Sequence, residues 1–181
     1  MIRIIDIVLS SLGLIIFSPL ILIVYICIYI ENRSPLFYQE RLGQKMKIFF
    51  LIKFRTMTKG TGNIATHLVD PASISRIGYL LRKTKIDELP QLWNVLRGEM
   101  SIVGPRPCLA SQKELIKARL RFDIYNTKPG ITGLAQINGI DMSNPFLLAK
   151  TERKMMRNFN IFIYFYYIFL TLLGFGWGDR V

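Results

Sequence analysis

An uncharged apolar run near the start of the chain, from Ile7 to Ile30, limits what it can fold into more than any other feature. It covers about 24 residues, or about 36 Å as a straight helix, enough to cross a hydrocarbon core of roughly 30 Å. Ser18-Pro19 interrupts it near the middle. Proline removes a backbone donor and clashes with the preceding turn, so a break is predicted there; a neighbouring serine hydroxyl can satisfy the freed carbonyl. Two arrangements follow. One is a kinked spanning helix; the other is a re-entrant helix-break-helix that enters and leaves the same leaflet. Both put the basic part of the chain on the cytoplasmic side. A cleaved signal peptide fits less well, because the run is long for one and no small-x-small site follows it.

Charge sharpens this division. Lys+Arg number 24 against 12 Asp+Glu, a net +12. Arg3 is offset by Asp6 and Arg180 by Asp179, so the excess lies between Glu31 and Asn158. A second uncharged stretch, Phe159 to Gly178, is rich in Phe, Tyr and Trp and suits the headgroup zone of a bilayer. The expected organisation is a membrane insert over 1–32, a cytoplasmic domain over 33–158 and an interfacial segment over 159–181. A single histidine, His67, excludes multi-histidine metal sites. Cys27 and Cys108 are too far apart in sequence for a thiolate zinc cluster and too few for a disulfide framework.

Within the middle region, Ile48–Phe54 predicts a buried strand, closed by Lys53 and Arg55. Gly60-x-Gly62-x-x-Ala65 fits a dinucleotide fingerprint only superficially, since no helix opens at its end. Asp70-Pro71 predicts a helix start, with Ile74, Ile77, Gly78 and Leu81 on one face. Leu89, Leu92, Trp93 and Leu96 predict the apolar face of a following helix that stops at Gly98, with Pro90 in its first turn. Asp87 and Glu88 then stand at or just before its start. Two readings are open there: helix capping, with Thr84 and Asp87 imitating a capping box, or a carboxylate pair available for chemistry beside Arg82, Lys83 and Lys85. Ser101-Ile102-Val103 predicts a short strand. Pro105 and Pro107 clamp Arg106 in a stiff turn, which reduces the entropy lost when a guanidinium meets a phosphate. Ser111–Lys128 has basic helical character, and Lys128-Pro129-Gly130 with Gly133 predicts a loop carrying Gln136 and Asn138.

These segments, in this order, resemble the bacterial sugar transferase family, the monotopic phosphoglycosyl transferases of polyprenol-phosphate glycan assembly. The resemblance rests on Ser18-Pro19, Lys53-Phe54-Arg55-Thr56-Met57, Leu81 through Leu96, Gly104-Pro105-Arg106-Pro107 and Pro129 through Gln136. It implies a mostly helical α/β (α+β) fold with the re-entrant form of the first helix. It implies transfer of a sugar phosphate from a UDP-sugar to polyprenol (undecaprenyl) phosphate, with release of UMP. Asp87 matches the family's nucleophile and magnesium (Mg2+) contact, and Glu88 its partner carboxylate. Lys53, Arg55, Arg82, Pro105, Arg106, Pro107, Gln136 and Glu152 match positions around the substrates; Glu152 stands where members often carry aspartate. The resemblance also implies the inner membrane as location, membrane lipids as partners, no nucleic acid, and room for a homodimer. The rival reading is a membrane-anchored basic adaptor for anionic lipid or nucleic acid.

Overall fold

The break at Ser18-Pro19 divides the apolar run into two helices, α1 (Ile2–Ile16) and α2 (Ser18–Asn32), bent by 61°. Pro19 has no N–H for the carbonyl of Ile15, and the Ser18 hydroxyl donates to that carbonyl instead, at 2.7 Å. The computed structural model describes residues 1–57 and 73–176. Among them no single helix is long and apolar enough to cross a membrane; the bent pair passes that test only as a pair.

The rest of the described chain is mostly helical with two small sheets. Strands β1 (Leu36–Leu42) and β2 (Ile48–Phe54) form an antiparallel hairpin, registered from Leu36 opposite Phe54 to Leu42 opposite Ile48. Helices α3 (Arg76–Lys83) and α4 (Gln91–Arg97) follow, separated by one 3-10 turn, Ile86–Glu88. Strand β3 (Ser101–Val103) pairs in parallel with β4 (Gly130–Thr132). Helix α5 (Lys113–Arg121) lies between these strands in sequence, and α6 (Leu134–Ile137), α7 (Pro145–Arg157) and α8 (Ile161–Leu172) follow β4 among the described residues. The architecture is α+β, as expected.

Polar contacts tie α1 to this body. Arg3 donates to the carbonyls of Val95 and Leu96 at the end of α4. Asp6 is 2% exposed, and its Oδ1 accepts from the Ser101 hydroxyl (3.0 Å), the Ile102 amide (3.0 Å) and the Tyr164 hydroxyl (2.8 Å). The two charges that cancel in the sequence are therefore spent on separate partners in the fold. Helix α2 is held by apolar packing, with Val24 and Ile28 buried against Phe54 and Leu81. Asn94 joins α4 to β2: its amide donates to the Phe50 carbonyl and accepts from the Ile52 amide. That junction fixes the turn before α4 relative to Lys53 on β2.

Several local expectations need correction. Helix α3 starts at Arg76 with the Ser75 side chain as its N-cap, and Ile74 lies before it in a bridge to Met57. Asp70-Pro71 and the Gly60–Ala65 segment lie outside the described residues. The buried face of α4 is Gln91, Asn94 and Val95, while Trp93 is 52% exposed; Leu92 meets α1 at Gly13. The Asn94 hydrogen bonds allow a polar side chain to take the buried position. Gly130–Thr132 is a strand rather than loop, because Gly104 and Gly130 let two backbones approach: a Cβ on Gly130 would lie 2.0 Å from the Gly104 nitrogen. The basic helix ends at Arg121, short of Lys128, and Leu120 is exposed.

Candidate active site

Asp87 and Glu88 lie on the 3-10 turn between α3 and α4, directly after Lys85, whose φ of 54° reverses the chain. The Thr84 hydroxyl donates back to the Leu80 carbonyl at 2.8 Å, so it closes α3 and does not open the next helix. Neither Lys85, the N-cap of the turn, nor Pro90, the N-cap of α4, makes a side-chain capping bond. The N-cap positions of the turn and of α4 therefore fall on Lys85 and Pro90 and not on Asp87. The turn packs against α3 and β2 just before α4, with Asp87 buried at 7% exposure.

Glu88 faces two cations. Lys53 Nζ, from the end of β2, is 3.8 Å from its Oε1, and Arg106 Nη2 is 3.6 Å from the same oxygen. Arg41 on β1, 5% exposed, lines the same cleft, as does Gln91 at the start of α4. The cleft wall thus gathers three cationic side chains around one carboxylate, with Asp87 the adjacent residue on the turn. Such an excess of positive charge in a partly buried cleft attracts and orients phosphate groups.

Arg106 is held from several sides. Gly130 donates its amide to the Pro105 carbonyl at 2.8 Å, which fixes the turn to β4. Arg119 donates to the Arg106 carbonyl at 2.7 Å and Arg41 to the Pro107 carbonyl at 3.0 Å. Two buried guanidinium groups therefore anchor the backbone at and after Arg106, and the two prolines restrict its φ. Arg119 is itself fixed by Glu152, which meets it with both carboxylate oxygens; the two side chains are 2% and 1% exposed. Burial pushes the Glu152 carboxyl above its ordinary range, against the pull of Arg119. Burial is the largest single influence on the Arg119 guanidinium and lowers its pKa, but the charge and hydrogen bond of Glu152, with Cys108 and Tyr125, together raise it above the ordinary value.

The candidate residues thus fall into two groups. Glu88, Lys53, Arg106 and Pro107 line the cleft, and Asp87 precedes Glu88 on the turn. The others contact protein groups. Gln136 donates to the Gly104 carbonyl at 3.2 Å, and Glu152 reaches the Arg106 turn only through Arg119. Arg55 donates to the carbonyls of Ser34 and Leu36 and lies over the Phe37 ring. Arg82 donates to the Thr56 hydroxyl at 2.9 Å, tying α3 to the end of β2. Sequence reasoning missed Arg41 and Arg119. Nothing in the composition marks either; the only trace of Arg41 is its i, i+2 spacing from Gln39, whose side chain it contacts on the same face of β1.

Residues 1–176 match the family described as Bacterial sugar transferase. The chain belongs to that family. It is 36% identical over 181 residues to a UDP-glucose:undecaprenyl-phosphate glucose-1-phosphate transferase of Klebsiella pneumoniae, covering 94% of this chain and 39% of that protein. It is 39% identical over 143 residues to a protein of the same name from Caulobacter vibrioides, covering 76% and 54%. It is 31% identical over 185 residues to the exopolysaccharide production protein ExoY of Rhizobium meliloti, covering 92% and 81%. Against the first two relatives the chain spans about two fifths and about half of their length.

Proposed function

We propose that the chain moves a sugar 1-phosphate from a UDP-sugar to undecaprenyl phosphate, releasing UMP, at the start of membrane-linked glycan assembly. The names of the relatives support the reaction class. The observation that carries it to this chain is the Asp87-Glu88 turn, whose Glu88 lines a cleft together with Arg41, Lys53 and Arg106. A pyrophosphate donor and a phosphate acceptor both need that cationic wall.

In the reaction, an Asp87 carboxylate oxygen attacks the β-phosphorus of the UDP-sugar. The bond from that phosphorus to the bridging oxygen breaks, and UMP leaves with the electron pair. The resulting acyl phosphate on Asp87 is a good leaving group. A phosphate oxygen of undecaprenyl phosphate then attacks the same phosphorus and frees the Asp87 carboxylate. Arg106 and Lys53 balance charge on the phosphates, and Glu88 positions these two cations between the steps.

The donor set also bears on metal. Among the described residues no group of three or more His, Cys, Asp or Glu side chains could hold an ion. Magnesium is commonly bound by one or two carboxylates together with substrate phosphates, which fits Asp87 with Glu88 beside it. Bound there, Mg2+ would neutralise charge on the pyrophosphate.

The 61° bend and the apolar side chains exposed along α1 and α2 support a re-entrant insert that holds the cleft at the cytoplasmic face of the inner membrane, where a polyprenol phosphate lies. The test is UMP release from a panel of UDP-sugars, with and without Mg2+ and undecaprenyl phosphate. Release by the native chain and none by Asp87→Asn supports the proposal. An adaptor would release no UMP, and its anion binding would survive the substitution.

A further inference from the structure

A second cationic site lies on the other side of the α5–α7 pair. A groove of about 710 Å³ runs between the end of α5 and the length of α7, lined by Arg121, Lys150, Arg153, Lys154 and Arg157. Among the described residues Asp123 is the only acid that lines it. None of these five cations makes an ion pair among the described residues. The groove is separate from the cleft at Glu88, with which it shares no lining residue. Helical geometry explains the separation. Arg119 and Glu152 point into the interior, and residues two positions away on a helix project about 200° round, so Arg121, Lys150 and Lys154 emerge on the opposite face.

Apolar side chains lie in and near the groove. Leu147 lines it at 44% exposure, and Phe146 beside it is 52% exposed, its ring 5.6 Å from that of Phe122, another lining residue. Leu120 at the end of α5 is 50% exposed. A site for a soluble anion has no use for exposed aromatic and aliphatic side chains. A lipid offers both an anionic headgroup and an apolar body. At the far end, Arg157 closes α7 three residues before Asn160, the N-cap of α8, and α8 exposes Phe162, Phe165 and Phe169. Cations interleaved with exposed aromatics are the footprint of an anionic membrane surface.

We infer that the α5–α7 groove binds the headgroup of an anionic phospholipid. The inference rests on the reading that the chain works at a membrane, and it assigns the groove a ligand separate from donor and acceptor. Binding would fix the rotation of the domain about its apolar insert.

The test uses the full chain in a neutral detergent. Binding of short-chain phosphatidylglycerol is compared with that of short-chain phosphatidylcholine and of glycerol phosphate. Lys150→Gln/Lys154→Gln/Arg157→Gln is the test variant, and Lys45→Gln/Lys47→Gln/Lys113→Gln is a control with the same loss of charge. Each cation near an anionic surface contributes a factor of about five, so the test variant loses on the order of a hundredfold in affinity for phosphatidylglycerol. The control stays within about threefold, and phosphatidylcholine binds weakly to all. Equal binding of the two lipids, or equal losses in both variants, overturns the inference. Glycerol phosphate binding as tightly as phosphatidylglycerol assigns the groove to a soluble anion and overturns the lipid. A fold check by circular dichroism accompanies each variant. No transferase step enters the measurement, so Asp87→Asn binds lipid normally, and failure of the transferase reading shows only in UMP release.

Discussion

Removing the Glu152 carboxylate tests how the interior supports the site. In Glu152→Ala, Arg119 keeps its charge in an environment where its side chain is 2% exposed and loses both carboxylate contacts. Breaking a buried pair by deleting one partner costs about 3–5 kcal/mol. Domains are stable by only about 5–15 kcal/mol, so this is a large fraction. For a chain of this size the midpoint of thermal unfolding falls by roughly 6–20 °C. The assay is thermal unfolding of the detergent-purified chain, followed by circular dichroism. The double variant Arg119→Leu/Glu152→Met separates charge from packing. With no charge left buried, most of the stability returns. Its UMP release stays low, because nothing then donates to the Arg106 carbonyl that Arg119 holds at 2.7 Å. A loss below about 1 kcal/mol in Glu152→Ala, or native turnover in the double variant, refutes the reasoning.

Other perturbations give separate readouts. Asp6→Ala leaves the donors of Ser101, Ile102 and Tyr164 without an acceptor and costs about 3 kcal/mol or more in denaturant unfolding, while Asp6→Asn, which keeps an oxygen, costs less. Gly78→Ala places a Cβ 2.1 Å from the Thr56 carbonyl oxygen, a backbone contact that cannot yield, so stability falls by about 1–3 kcal/mol and the variant melts earlier. Glu88→Gln removes the charge that faces Lys53 and Arg106; losing a charged contact of about 1.5–3 kcal/mol lowers UMP release by about tenfold or more, and the melting temperature falls by less than in Glu152→Ala because this group is more exposed. Burial first, and contact with Cys108 second, raise the Tyr125 phenol. Its contribution is therefore complete below the ordinary tyrosine pKa of about 10 and is lost as pH rises above it; melting temperatures at alkaline pH fall in the native chain and fall less in Tyr125→Phe.

Elements whose burial is apolar were legible in the sequence. Ile48–Phe54 and Ser101–Val103 form strands over the predicted residues, and the chain breaks at Ser18-Pro19 and stops α4 at Gly98 as their chemistry requires. The first strand, expected to be buried, hides only Phe49, Leu51 and Phe54 and leaves Ile48 and Phe50 exposed, because it pairs in a two-stranded hairpin covered on one face. Elements that bury polar groups were not. Strand β1 hides Gln39 and Arg41, and α7 hides Glu152 beside Leu148, Ala149 and Met155. Each of those polar groups is satisfied by a partner remote in sequence, so neither segment shows an unbroken apolar stripe. The same cause conceals half of the site. The Asp87-Glu88 pair and the proline-clamped Arg106 are local patterns, whereas the Glu152–Arg119–Arg106 and Arg41–Pro107 contacts join separate elements.

The central claim is that Asp87 carries the sugar phosphate. The direct measurement is mass spectrometry of the peptide containing Asp87, after incubation with the UDP-sugar that releases UMP and without acceptor. The account predicts a sugar-phosphate adduct on Asp87 that disappears on adding undecaprenyl phosphate and never forms in Asp87→Asn. Acceptor-dependent UMP release at the native rate from Asp87→Asn, or an adduct on another residue, would contradict it.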